Sequence, residues 1–265
     1  MEVSSNATSS KNSSFPASAL RIVIRGAAAL SCVFGCLIDY GMQAALKRLN
    51  PRRRARVLQK WSSRLLKALR VRILVTGSPP PQGLIVSNHL SYLDILVFSA
   101  AIECVFVSKR EVKAWPAIGW AASLAGTIYI DRTRRSDAHA IQPQIQAALS
   151  SGVRLVIFPE GTSSDGSRVL HFHSSLFQPS LDLDAPITAV ALEYALEDGD
   201  ARREVCYWGD MVLLPHLFNL MTKSWVQATV RFSSEQFYFQ DRKEAARTMQ
   251  LQVERLRGMA SAVQH

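Results

Sequence analysis

Between about residues 71 and 240 the chain keeps to one pattern: a short, β-branched apolar run, a longer segment, then another run. The runs are "VRILVTG", "GLIVSN", "CVFVS", "GTIYID", "VRLVIF", "PITAVAL", "EVCYW" and "SWVQATVRF". Strands this uniformly apolar are covered on both faces, because a sheet with one wet face alternates polar and apolar residues. Helices are expected near 91–102, 111–124, 136–150, 211–223 and 241–259, with Pro143 kinking or delaying the third. Together these predict an α/β fold, a layered domain with a mostly buried sheet flanked by helices. No linker divides the region, so residues 71–265 are expected to form one domain ending in a C-terminal helix.

What precedes that domain is of another kind. Residues 1–16, rich in Ser and Asn, predict a disordered tail. From Ile22 to Ile38 the only charge is Arg25; seventeen residues suit a tilted span or a helix embedded without crossing, and both stay open. Next, Lys47, Arg48, Arg52, Arg53, Arg54, Arg56 and Lys60 crowd beside an apolar stripe of Val57, Trp61, Leu65 and Leu69. Residues 17–70 are therefore expected to be a membrane anchor followed by a basic amphipathic helix lying on an anionic membrane surface. The basic side belongs on the cytoplasmic face. The same cluster contributes to a net charge of +10. Such a charge also suits nucleic acid, but no zinc finger, helix-turn-helix or RNA-binding aromatic signature accompanies it, so no nucleic-acid partner is expected. The four cysteines form no Cys-x-x-Cys pair, which favours a reducing compartment and no metal site.

Three stretches carry chemistry. In "VSNHLSYLDIL" a strand ends at Asn88-His89, and Asp94 follows five positions after the histidine. The local reading is a helix start, with Ser91 capping and Asp94 completing the Ser-x-x-Asp pattern. The chemical reading needs His89 on the strand-to-helix turn, since positions five apart on an ideal helix diverge by roughly 140°. From the first helical turn Asp94 then reaches back to one ring nitrogen and leaves the other free as a base. No Gly-x-Ser-x-Gly elbow is present, so the alcohol to be deprotonated belongs to a substrate. In "VRLVIFPEGTSSDG" a strand turns sharply at Glu160, Gly161 and Thr162, where a carboxyl and backbone amides can position a polar acceptor. In "GTIYIDRTRR" a strand delivers Arg132, suited to a phosphate or carboxylate.

Taken in order, Asn-His-x4-Asp, Gly-x-Ile-x-Ile-Asp-Arg and Phe-Pro-Glu-Gly-Thr resemble the glycerolipid acyltransferase family, which includes bacterial 1-acylglycerol-3-phosphate acyltransferases. Pro186-Ile187-Thr188 falls where that family has a weaker fourth block, and the resemblance covers about residues 70 to 240. It implies a membrane-associated O-acyltransferase of lipid biosynthesis, at a bacterial inner membrane with its catalytic domain facing the cytoplasm. His89 is then the general base and Asp94 its orienting partner. Asn88 supports the turn, and Arg132, Glu160, Gly161 and Thr162 form the acceptor side, with Lys109 in "SKREV" beside them. The donor is acyl-CoA or acyl-carrier protein, the acceptor a lysolipid, and no cofactor or metal is required, because the thioester is already activated.

Two departures bear on the acceptor. Ser163 stands where many relatives have arginine, and His173 where a lysine often lies. Both remove a fixed positive charge, and with "YWGDM" they resemble the lyso-ornithine lipid branch. A lipid-binding protein without turnover is the alternative of a different class, and the intact His-Asp pair argues against it.

Overall fold

The computed structural model describes residues 14–110, 113, 122–130 and 135–263. Among them, two helices precede the sheet: α1 (Ser14–Ala45) and α2 (Pro51–Ala68). α1 thus begins inside the stretch expected to be a tail, and residues 1–13 lie outside the described residues. The sheet is built from β1 (Val71–Thr76), β2 (Leu84–Ser87), β3 (Cys104–Lys109), β4 (Ile128–Ile130), β5 (Arg154–Ile157), β6 (Ile187–Leu196) and β7 (Val226–Phe232). These seven lie in the order β1-β7-β6-β2-β5-β3-β4. All neighbours are parallel except β6 and β7, which pair antiparallel from Val190↔Phe232 to Leu196↔Val226.

Both faces of the central strands are covered, which is why they read as unbroken apolar runs, whereas the edge strand β1, expected to be covered as well, is buried only at Val71 and leaves Leu74 and Val75 exposed. Every residue of β2 is buried. Leu84 and Val86 point to a core shared with Leu155, Ile157, Ile145 and Met249, under α4 (Arg135–Ser150) and α8 (Arg242–Val263). Ile85 points the other way, to a core with Val156, Val190, Leu192, Leu93 and Phe98. That second core lies under α2, α3 (Leu93–Ala101) and α7 (Leu213–Thr222). Two short helices, α5 (Gln178–Asp182) and α6 (Ala201–Glu204), lie beside these, with a 3-10 turn at Ser174–Leu176.

Four further expectations need correction or placement. "EVCYW" is not a strand: α6 ends at Glu204 and the chain continues irregularly past Val205 and Cys206, both buried. Its apolar residues fill a core without joining the sheet. α4 runs through Pro143, starting at Arg135, so the proline neither delays nor ends it. The helix expected near 111–124 falls mostly outside the described residues.

The basic helix α2 is the fourth. Asn50 caps it by accepting from the Arg53 amide at 2.8 Å, and Pro51 opens it, so a helix is expected from local chemistry alone. Its apolar side meets protein. Ala55, Val57 and Leu66 are buried, and Trp61 lies so close over Gly35 of α1 that an added Cβ there would stand 2.0 Å from the ring. The basic residues have partners inside the chain as well: Arg56 with Glu103 at 2.9 Å, Lys60 with Asp39 at 2.7 Å, and Arg54 with the Leu124 carbonyl at 2.8 Å. An amphipathic stripe specifies an apolar neighbour and not its identity; α1 and α3 provide one.

α1 is 32 residues long and displays Leu20, Val23, Ile24, Leu30, Phe34 and Ile38 outward. It is fastened at two places. Near its start Arg25 donates to the carbonyls of Met221 (2.8 Å) and Lys223 (2.5 Å), and Arg21 to that of Thr222 (3.2 Å), satisfying the C-terminal carbonyls of α7. Near its end Asp39 accepts from Lys60 and from Trp61 Nε1 (3.0 Å), and the Tyr40 hydroxyl donates to the Arg54 carbonyl at 3.0 Å.

Candidate active site

β2 ends at Ser87 in the middle of the sheet, and the next residue is held as if the strand continued. The buried Asn88 side chain donates to the Leu192 carbonyl and accepts from the Leu192 amide, both at 2.9 Å. An amide side chain replaces a backbone pairing with β6, and the chain is free to turn. His89 sits on that turn, and Asp94 lies in the first turn of α3.

His89 Nδ1 and Asp94 Oδ2 are 2.7 Å apart. A carboxylate only accepts, so Nδ1 carries the proton and Nε2 is the free, basic nitrogen. The same Oδ2 accepts from the amides of Leu90 (2.7 Å) and Ser91 (3.1 Å), while Oδ1 accepts from the Tyr194 hydroxyl at 2.7 Å. Asp94 is therefore both the partner of the histidine and the cap of the turn. Ser91, expected to be that cap, has a buried hydroxyl with no hydrogen-bond partner among the described residues. Half of the Ser-x-x-Asp pattern is realised: the acidic side chain accepts from the Ser91 amide, while the reciprocal bond from the Ser91 hydroxyl is absent. The His89 ring stacks on Phe158 at 4.3 Å and 15°. Its side chain stays 22% exposed against 0% for Asp94, so the base meets the outside while its partner does not.

Phe158 leads directly into the second cluster. Gly161 turns the chain at φ 72°, a conformation that side chains resist, and its amide donates to the Phe158 carbonyl at 3.1 Å. The loop then returns to the histidine: the Ser164 amide donates to the His89 carbonyl at 2.9 Å, and the Tyr207 amide to that of Leu90 at 2.8 Å. Glu160 is 3% exposed, and neither of its carboxylate oxygens has a hydrogen-bond partner among the described residues. Burial pushes its acidity up to about 8, and the charge of Asp94 adds to this. The backbone amides of Leu170 and His89 and the Arg257 guanidinium act the other way from outside hydrogen-bond geometry. Thr162 is exposed, at the rim of this cluster. The Ser163 hydroxyl donates to the Tyr207 carbonyl.

Asn88, His89, Asp94, Glu160 and Gly161 thus converge at the carboxyl ends of β2 and β5, the place where open α/β sheets bind ligands. Lys109 closes β3 in register with Ile130 of β4. Arg132, two residues beyond β4, lies outside the described residues. Tyr194 and Phe158 were not anticipated: Tyr194 lies two residues beyond the expected strand "PITAVAL", Phe158 ends "VRLVIF", and no spacing ties either to the His-Asp pair. His171 and His173 meet edge to face at 5.9 Å, and no group of three or more metal-binding side chains occurs among the described residues.

This chemistry on this sheet belongs to acyl transfer. The Acyltransferase family profile matches residues 70–193. The chain is 36% identical over 187 residues to a lyso-ornithine lipid O-acyltransferase of Brucella abortus, covering 65% of this chain and 70% of that one. It is 37% identical over 169 residues to the Pseudomonas aeruginosa protein of the same description (63% and 65%). It is 36% identical over 153 residues to a 1-acyl-sn-glycerol-3-phosphate acyltransferase of Neisseria meningitidis (56% and 60%). The matches to the Pseudomonas and Neisseria proteins thus span slightly under two thirds of those relatives' length. The 1-acyl-sn-glycerophosphate acyltransferase PlsC of Thermotoga maritima has the same fold, with a TM-score of 0.66 at 17% identity over 94% of this chain and 98% of that one. The chain belongs to the acyltransferase family.

Proposed function

We propose that this protein is a membrane-docked O-acyltransferase that moves a fatty acyl group from the thioester of acyl-CoA or acyl-carrier protein to the hydroxyl of a lysolipid. The observation that carries the reading is the His89 ring: Nδ1 locked on a buried carboxylate, in a side chain that keeps 22% of its surface exposed. Nε2 takes the lysolipid hydroxyl proton as the oxygen attacks the thioester carbonyl. The resulting imidazolium is stabilised by Asp94 and returns the proton to the departing thiolate, so an ester forms, the thioester breaks and the base is regenerated. No metal or bound cofactor takes part in these steps. Asn88 fixes the turn, and Glu160, Gly161, Thr162 and Arg132, with Lys109 beside them, are assigned to the acceptor side.

Lyso-ornithine lipid is the preferred acceptor on two grounds. Three of the relatives carry that description at 36–38% identity, and Ser163 replaces a charge that a phosphomonoester would use. The membrane reading rests on α1. Its residues 18–45 are long and apolar enough to cross a bilayer. Yet its two ends are fastened to the same catalytic domain, through Arg25 to α7 and through Asp39 and Tyr40 to α2. A helix clipped at both ends to one globular body lies along the membrane face and enters one leaflet. Trp208, Val212, Leu214 and Phe218, exposed on and before α7, extend the same apolar surface. The membrane is placed as a bacterial inner membrane, with the domain on its cytoplasmic side.

The test is transfer from labelled acyl-CoA and acyl-carrier protein to a panel of lysolipids, for wild type and His89→Ala. Wild type should acylate lyso-ornithine lipid in preference to 1-acylglycerol-3-phosphate, and His89→Ala should lose about 10²–10⁴-fold while remaining folded. A folded His89→Ala with full activity refutes the mechanism, and a wild type that releases no thiol leaves a lipid-binding protein without turnover.

A further inference from the structure

β6 grips the histidine turn twice. Leu192 holds Asn88, the residue before His89, through two backbone hydrogen bonds, and Tyr194 holds Asp94 through its hydroxyl. The Leu192 contacts are made by its backbone, in the plane of the sheet, whereas Tyr194, on the same face as the Leu192 side chain, reaches Asp94 from the side that carries the core beneath α3. His89 is suspended between them. The outer contact is unlike the inner one, because it falls on the carboxylate that faces the base, at the oxygen His89 does not use.

We infer that Tyr194 is a positioning residue for acyl transfer, its hydroxyl holding Asp94 in the orientation and charge distribution that His89 requires. Asp94 has two oxygens and four donors. Oδ2 takes three: His89 and the two turn amides. Oδ1 has Tyr194, at 2.7 Å, as its one partner among the described residues. Without that hydroxyl, Oδ1 of a fully buried carboxylate has no partner; Oδ2 keeps its three donors, but the tilt of the carboxylate plane, and with it the ring, is no longer fixed. The Tyr194 ring is only partly buried, but its hydroxyl lies against the fully buried Asp94. Desolvation there, then the charge of Asp94, push its own proton loss well above the ordinary tyrosine range. It is therefore a donor wherever the enzyme works. The donor also has an electrical role. A hydrogen bond to Oδ1 draws charge from the carboxylate, so it moderates how strongly Asp94 stabilises the imidazolium.

The inference rests on His89 being the general base, and the experiment separates the two. The full-length protein carrying Tyr194→Phe is compared with wild type and His89→Ala for kcat, lysolipid KM and the pH profile of kcat/KM. Tyr194→Phe should lower kcat by about ten- to a hundredfold with KM unchanged, as expected for losing a hydrogen bond to a charged group. The acid limb of the profile should move to higher pH, because Asp94 then shares its charge with fewer donors and holds a proton on His89 more tightly. Glu160, Tyr92 and Cys206, the other titratable groups around Asp94 and Tyr194, are unchanged by the substitution, so a displaced limb reports the hydroxyl. A purely structural contribution lowers stability or kcat and leaves the limb in place. Should Tyr194→Phe fail to fold, ring-fluorinated tyrosine at 194 keeps the shape and donates more strongly; the limb should then move to lower pH. Wild-type kcat in Tyr194→Phe, or an undisplaced limb in whichever variant folds, overturns the inference. An active His89→Ala sinks the mechanism beneath it.

Discussion

Two buried carboxylates stand close to the His89 turn, and the fold treats them in opposite ways. Asp94 is 0% exposed and saturated by donors from the histidine, two turn amides and a tyrosine. Glu160, 3% exposed, has none within hydrogen-bond reach among the described residues. Burying a carboxylate without partners is costly enough that the group keeps its proton instead. The contrast assigns different work to each. On the proposed mechanism Asp94 is the negative charge that serves the base, whereas burial favours the neutral form of Glu160 against the amides of Leu170 and His89 and the Arg257 guanidinium.

The largest expected effect breaks the Asp94 half. Asp94→Asn keeps the shape but cannot stabilise the imidazolium, so turnover should fall about 10²-fold or more, measured as thiol release at saturating lysolipid. Activity within a fewfold of wild type would mean that the donors around Asp94 merely cap α3.

Glu160→Gln probes the other half through stability. A group whose acidity is raised from 4.5 to about 8 by folding contributes stability that is fully present below pH 4.5 and lost as pH rises through 8. Wild type should therefore lose on the order of a few kcal/mol of unfolding free energy across that window from this group. Glu160→Gln, neutral throughout, should lose less by about that amount in denaturant titrations at pH 5 and pH 9. Parallel pH dependence in the two proteins would show that Glu160 is charged in the fold.

The smallest effect is expected from Ser163→Arg, which places a cation beside the Gly161 turn. It should shift the ratio of kcat/KM severalfold toward 1-acylglycerol-3-phosphate and away from lyso-ornithine lipid, and pull Glu160 toward its charged form. An unchanged ratio would show that Ser163 does not mark acceptor choice.

The sequence disclosed those parts of the candidate site whose residue types and spacing carry the proposed mechanism. The strand before Asn88, the five-residue step from His89 to Asp94 and the turn at Glu160-Gly161 are local, and they are where they were expected. Contacts from distant strands carry no such imprint. Tyr194 is 100 residues from Asp94, and Phe158 is brought under His89 only by the pairing of β2 with β5. The errors share a cause. Of the Ser91–Asp94 cap pattern only the Asp94 half forms, because Asp94 is also drawn to His89 and the Leu90 amide, and the stripe on α2 does not say whether lipid or protein will cover it. "EVCYW" is apolar enough for a strand, but the sheet has no position for it, and its residues line a core in irregular chain.

The double fastening of α1 has a mechanical consequence. From Arg25 to Asp39 is fourteen residues, roughly 21 Å of helix between its two clips, which under the proposed docking would lie flat in one leaflet. A cylinder entering one leaflet must part the lipids of that leaflet alone, so the work of insertion grows with the lateral pressure among their chains. Loosely packed or newly thinned patches admit it cheaply and tightly packed ones resist it. Lysolipids, with one chain under each head group, pack poorly and create such patches, and converting them to two-chain lipids closes the gaps. On this reading the helix meets least resistance where acceptor is abundant and is squeezed outward as its own product accumulates.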